Sequence, residues 1–474
     1  MGDSIVSFGM GALTVVAALI LFSALRKSWA RAEWTGTTKF GFAMVMLTVS
    51  TVEIFVTFFG LWTKSTNAYY KSTVWAVPDI AHLAMQVLIL LLGLFAAVVF
   101  ILRFRRGDTV INLPAVLFLL MGIVSAESAL LHGDNPFRPL SAVFLAVVGV
   151  CTVAPRGLGI HLGVGTACMI VAIASGLTFI IHKDFSVFPC TADSYTADKC
   201  GLLGFNFRGI LENANAMAMF LTLAVPFVYI GFGSWQGPVL SAYTVGLILL
   251  TGGRSGMIAS AVTLAALFVL RPNIRNAVAT PVRSGLLYAG LAVLVAVGIG
   301  LPFVSTDPTA FHGRASLWML ARNGLSEPMT LLYGTGMLGW QHVRDSGMID
   351  PTASYSVHNE WLQVLYSTGI IGSILFLSAL GLLLWQARPK YSLVVGSVLI
   401  PVFVLAVTER PWPIDTCDWL IWAIPATLLS YPAVRRQSAE GMAKSGLPQT
   451  ETVSDAPDEE SSGRTWRAEL KVAT

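Results

Sequence analysis

The chain has 474 residues, 55% of them hydrophobic and 12% charged, with a formal net charge of +4. Soluble domains carry about 25% charged residues, so the composition excludes an ordinary soluble globular protein, and the small, scattered positive charge argues against nucleic acid as a partner. Repeated apolar runs without period-two alternation predict an all-α polytopic membrane protein rather than a barrel.

In chain order the apolar runs fall at 4–25, 38–62, 79–102, 111–131, 139–154, 159–182, 208–232, 238–252, 255–270, 284–303, 358–386, 391–408 and 417–434. They predict about 12–13 spans, broken by Pro, Gly and charge as helix ends are. The first run lacks a basic leader and is as long as a full span, which argues against a cleavable signal. Basic residues follow alternate spans: Arg26, Lys27, Arg31 and Lys39; Arg103, Arg105 and Arg106; Arg156; Arg271, Arg275 and Arg283; Arg388 and Lys390; Arg435 and Arg436. The positive-inside rule makes that side cytoplasmic. The N-terminus is then expected outside and the C-terminus inside, with the loop 183–206, Arg254 and the loop 304–357 on the outer face.

Four regions follow: N-terminal transmembrane helices over 1–303, a long extracytoplasmic loop over 304–357, C-terminal transmembrane helices over 358–436, and a tail over 437–474. The tail contains Asp455, Asp458, Glu459 and Glu460 and is too polar to bury a core, so it is expected to be disordered in the cytoplasm. Long structured loops are uncommon and usually functional. No internal repeat of the transporter kind is visible.

Several residues are candidates for chemistry. Cys190 and Cys200 share one polar loop and are expected to form a disulfide if it faces an oxidising compartment. Cys151 and Cys168 read as packing residues. Arg208, Glu212 and Asn215, spaced i, i+4 and i+7 in the run 208–232, are expected to form one polar helical stripe, serving either helix packing or a cavity. Thr251-Gly252-Gly253-Arg254-Ser255-Gly256 breaks two apolar runs with an arginine that either snorkels or presents a fork to phosphate oxygens. Phe311 to Trp318 begins an amphipathic helix with Leu317, Leu320 and Ala321 on its apolar side, placing Arg314 near an N-terminus that favours anions. Gly334-Thr335-Gly336 follows no strand, so it is no nucleotide loop, and close backbone packing or a tight turn is expected there. His358-Asn359-Glu360 opens an apolar run; on a helix His358 would share a face with Trp361, Leu362 and Leu365 and can act as a general base. No metal box, Walker loop or nucleophile elbow is present in the sequence.

Taken in order, Gly209 to Asn215, Thr251 to Gly256, Gly313 to Trp318, Gly334 to Gly336, and His358 to Gln363 with Gly369 and Gly372 resemble the O-antigen ligase / O-antigen polymerase (WaaL and Wzy-like) superfamily. The likeness covers about residues 208–385. It implies a GT-C-like membrane glycosyltransferase of the bacterial cytoplasmic (inner) membrane, acting on the face turned to the periplasm or cell exterior. Such enzymes pass a glycan from a polyprenyl diphosphate to a hydroxyl of a lipid or glycan acceptor, with inversion and without metal or other cofactor. On that likeness Arg254 and Arg314 meet the diphosphate and His358 serves the acceptor hydroxyl. Arg208, Glu212, Asn215, Asn359, Glu360, Gly334 and Gly336 then fall on the substrate-binding side. Ligase and polymerase stay open, and a transporter or flippase of an anionic lipid or solute is the alternative from another class.

Overall fold

The computed structural model describes residues 2–47, 51–67, 72–76, 78–106, 113–135, 159–190, 200–232, 235–276, 280–311, 313–349, 356–386 and 392–411. The expected spans at 139–154 and 417–434, the tail 437–474, Cys151, Arg156, Arg388, Lys390, Arg435 and Arg436 lie outside them.

The protein is an all-α polytopic membrane protein. Its long apolar runs become α1 (Gly2–Ala30), α2 (Gly36–Val45), α3 (Thr51–Phe58), α4 (Asp79–Arg105), α5 (Leu113–Leu131), α6 (Gly159–Ile181), α7 (Ala214–Gly231), α8 (Gln236–Thr251), α9 (Arg254–Asn276), α10 (Pro281–Val304), α14 (Glu360–Gln386) and α15 (Ser392–Ala406). Between α10 and α14 lie three short helices, α11 (Arg314–Gly324), α12 (Pro328–Tyr333) and α13 (Gly339–Asp345). Six described helices are long and apolar enough to cross a bilayer: Val6–Ala30 and the whole or nearly whole of α5, α6, α7, α10 and α14. Gln236–Thr251, Arg254–Leu270 and Leu393–Ala406 are shorter apolar helices. Strand is confined to two antiparallel pairs, β1 (Thr63–Asn67) with β2 (Ser72–Ala76), and β3 (Val187–Pro189) with β4 (Phe205–Phe207).

The main core joins α1, α2, α6, α7, α8, α9 and α15 around Ile160, Phe179, Phe220, Phe227, Leu247 and Phe403. Lipid is as apolar as these side chains, so helix association relies on close packing. Small residues permit it: a Cβ on Gly163 would stand 2.0 Å from Thr38 O, and one on Gly165 2.8 Å from Phe227 O. The outward faces of α1, α4 and α10 carry exposed apolar residues such as Leu19, Phe22, Leu94, Phe95, Leu286 and Val293, which suits a lipid environment. A second cluster, built on Trp318, Ala321, Leu325, Trp340, Leu362 and Tyr366, packs α11 and α13 onto α14.

Loop contacts gather one set of helix ends. Leu202 N donates to Leu249 O near the end of α8. Ser128 Oγ, near the end of α5, donates to Gly334 O at 2.8 Å. Asn359, just before α14, donates to Gly298 O in α10 and to Val407 O after α15. Trp62 stacks on Phe185 at 3.8 Å. The cysteine-bearing loop, the α8–α9 break and the three short helices therefore share one end of the bundle. At the other end, the first residue of α6 meets Thr35 and Thr38, and Gly231 meets His161.

The start of α7 differs from expectation. The helix begins at Ala214, not near 208, because Gly209 is left-handed (φ 59°) and Asn213 caps the helix by accepting from Ala216 N at 2.7 Å. Arg208 and Glu212 thus lie in the preceding turn, and the three-residue helical stripe does not form.

Candidate functional site

The chain turns back on itself after α15: Glu409 N donates to Leu405 O at 2.7 Å. This folds the Glu409 side chain into the protein, 3% exposed. Its Oε1 accepts from Ser255 Oγ at 2.9 Å and from Arg314 Nη2 at 2.5 Å. Arg314 Nη1 donates to Thr408 O, so the guanidinium spans side chain and backbone of the same turn. The second carboxylate oxygen, Oε2, lies 3.2 Å from His358 Nδ1.

Burial by itself pushes the Glu409 carboxyl up, but Arg314 and His358 outweigh it and hold the group down, at about 2. An ionised carboxylate can only accept hydrogen bonds, so the proton in the 3.2 Å contact to His358 belongs to Nδ1. In the neutral imidazole Nε2 is then the accepting nitrogen.

The backbone fixes His358 as firmly as its side-chain partner does. Its φ of 55° is left-handed, a conformation that costs a non-glycine residue on the order of 1 kcal/mol and tends to mark functional sites. His358 N donates to Ser356 Oγ at 3.3 Å. On one side, Val357 O accepts from Trp318 Nε1 at 3.0 Å and Val357 N donates to Gln363 Oε1 at 3.1 Å. On the other, Asn359 accepts from Leu362 N at 2.8 Å, capping α14. His358 therefore sits before α14, and the helical face it was expected to share with Trp361, Leu362 and Leu365 does not form. Asn359 is fully buried as a brace, and Glu360 is buried in the first turn of α14.

The break between α8 and α9 supplies the third side of the cluster. Gly252 takes the left-handed C-terminal position (φ 71°). Arg254 is the first residue of α9 and is exposed. Its neighbour Ser255 reaches Glu409, which sets Arg254 at the same corner as Arg314 and His358. Asn215 is there too, with Oδ1 3.8 Å from where a Cβ on Gly253 would stand.

Other expected site residues serve the framework. Arg208 is fully buried, with its guanidinium carbon 3.9 Å from the centre of the Phe185 ring and 4.8 Å from that of Phe188. It donates through Nε to Phe185 O and through Nη1 to Glu212 O. Burial pulls its guanidinium down to about 9, against the raising effect of Glu212. Glu212 is exposed at the surface of that turn. Cys190, directly after β3, and Cys200 form a disulfide, with Cα atoms 5.9 Å apart. Gly334 and Gly336 clasp a kink in α14: a Cβ on Gly334 would stand 2.4 Å from Thr368 N, and Gly336 N donates to Ser367 O at 3.0 Å.

Glu409 and Ser255 are the residues missed by sequence reading. The available signal was a carboxylate at the end of an apolar run, in Thr408-Glu409-Arg410-Pro411; ionisable groups there are costly and need a partner. Ser255 had no signal of its own beyond standing next to Arg254.

Among the described residues no three His, Cys, Asp or Glu side chains converge as a metal site. The chain matches none of the curated proteins. Residues 239–377, from α8 into α14, match the family model described as O-Antigen ligase. Glu409 lies beyond that stretch, whereas Arg254, Ser255, Arg314 and His358 lie within it, and the match supports the likeness of this part of the chain to the O-antigen ligase and polymerase superfamily.

Proposed function

We propose that this membrane protein is a glycosyltransferase that moves a glycan from a polyprenyl diphosphate to a hydroxyl of a lipid or glycan acceptor, in the manner of an O-antigen ligase. The observation that carries the reading is the convergence of His358, Arg314 and Ser255 on buried Glu409, beside Arg254. In this mechanism Nε2 of His358 takes the acceptor hydroxyl proton as the acceptor oxygen attacks the anomeric carbon. The bond from that carbon to the phosphate oxygen breaks on the opposite face, which inverts the centre. The leaving diphosphate carries away the electron pair, and Arg254 stabilises its charge. Arg314, committed to Glu409 and Thr408, keeps the carboxylate ionised and so keeps His358 in its working tautomer. No step requires a metal.

The reading places the cluster on the outer face of a bacterial cytoplasmic membrane, where lipid-linked glycans are presented. A polymerase would use the same donor chemistry and differ in which molecule offers the hydroxyl. The test is transfer by purified protein in liposomes with a polyprenyl-diphosphate-linked glycan and candidate acceptors, read by mass spectrometry. His358→Ala should lower turnover about 10²- to 10⁴-fold, as expected for a lost general base. Arg254→Ala should lower it about 10²- to 10³-fold. Full activity in both variants would sink the mechanism, and recovery of an unaltered donor on the far side of the bilayer would make the protein a transporter.

A further inference from the structure

An arginine beside a carboxylate ordinarily prefers the two-bonded fork, one N–H to each oxygen. That arrangement is absent at Glu409. Arg314 gives one N–H to Oε1 and turns another to Thr408 O. The second bond to Oε1 comes from Ser255 Oγ, at 2.9 Å, carried by the second residue of α9. Oε2 is thereby left facing His358 Nδ1.

We infer that Ser255 is a positioning residue: by holding Oε1 together with Arg314 it keeps Glu409 from closing a two-bonded pair with Arg314, and so reserves Oε2 for His358 Nδ1. This rests on the reading of His358 as the base, and it adds a residue that touches neither donor nor acceptor. Ser255 is half-buried, whereas Glu409 is almost fully enclosed. Without the hydroxyl, rotation of the carboxylate brings both oxygens onto the guanidinium. The backbone then still holds His358 in place, but its Nδ1 has lost the acceptor that fixed its proton. The imidazole distributes between its two tautomers, and only the one protonated on Nδ1 presents a basic Nε2. The hydroxyl is also the one element of the arrangement that can be removed without altering any charge.

The experiment uses the full-length protein in lipid nanodiscs with its 7 histidines labelled with nitrogen-15. The His358 signals are assigned by their absence in His358→Gln. The wild type should show a single tautomer with the proton on Nδ1. Ser255→Ala should show a mixture, and its kcat should fall about tenfold with KM changed by less than about twofold, the pattern of a lost transition-state interaction. Ser255→Thr, which keeps the hydroxyl, should retain the single tautomer and most of the turnover. A Ser255→Ala protein with an unmixed Nδ1–H tautomer would overturn the inference, as would loss of the single tautomer in folded Ser255→Thr. The nitrogen signals do not depend on turnover. A mixture in Ser255→Ala therefore supports the positioning role even if neither wild type nor variant transfers glycan, a result that would count against the glycosyltransferase reading alone.

Discussion

At the scale of the residue, Glu409 determines the state of its neighbours. Arg314, Ser255 and His358 all touch its carboxylate. Removing one member of a buried ion pair commonly costs about 3–5 kcal/mol, because the other charge is left uncompensated. Arg314 is 19% exposed and can recover some hydration, so Glu409→Gln should lower unfolding stability by roughly 2–3 kcal/mol, below that range. It should also reduce transfer far more than an equal loss of stability elsewhere would, since His358 loses its anionic acceptor. The pH dependence has a definite sign. The Glu409 carboxyl is depressed in the folded protein, to about 2. Near pH 4 the unfolded chain therefore binds more protons than the folded one, and stability rises with pH through that window. The contribution is complete above the ordinary glutamate value of about 4.3 and is lost as pH falls towards 2. Melting temperatures of the detergent-solubilised protein between pH 5 and pH 3 should show it: the wild type should drop more steeply than Glu409→Gln. Equal slopes would mean that the ion pair adds nothing to folding.

At the scale of the element, the kink in α14 links the short helices between α10 and α14 to the membrane helices. Gly369 has φ 64° inside that helix, and the break there frees the carbonyls of the preceding turn. Buried carbonyls need partners. Thr335 N donates to Tyr366 O at 2.7 Å, and Gly336 N to Ser367 O at 3.0 Å. A Cβ on Gly369 would stand 2.2 Å from Leu332 O, in a backbone conformation already unfavourable for other residues. Gly369→Ala should therefore release the segment 328–349 from α14 while most of the bundle stays folded. Limited proteolysis should find new cleavage in that segment, and His358, eleven residues upstream on the same chain, should lose most of its activity. The short helices, the amphipathic face of α11 and the glycine clasp were legible as patterns, because periodicity and Gly spacing are local properties. The stripe of Arg208, Glu212 and Asn215 was misread because a left-handed Gly209 and the cap at Asn213 override the apolar period that continues through them. Glu409 was passed over because its meaning depends on Ser255 and Arg314, which are 154 and 95 residues away along the chain.

At the scale of the whole molecule, the bundle separates its two ends by charge and by irregular structure. Arg26, Lys27, Arg31 and Lys39 flank the end of α1 and the start of α2, which belongs with the start of α6 and the end of α7. Arg283 opens α10 at that same end, since α10 closes at the other with Arg322 bonded to Phe303 O and Ser305 O. The cysteine-bearing loop, Arg254, the three short helices, His358 and Glu409 all lie at the opposite end. Positive flanks are retained on the cytoplasmic side during insertion, so the cluster around Glu409 should face outward, where a disulfide also persists. Ser346 is exposed after α13 and Thr280 is exposed just before α10, so they report on opposite ends. In a background lacking other reactive thiols, Ser346→Cys should react with a membrane-impermeant maleimide in intact spheroplasts, and Thr280→Cys only after permeabilisation. The reverse pattern would put the cluster in the cytoplasm. His358 and Arg254 would then meet the lipid-linked glycan on the face where it is assembled, and transfer to an outer-face acceptor would be ruled out even with every side-chain contact intact.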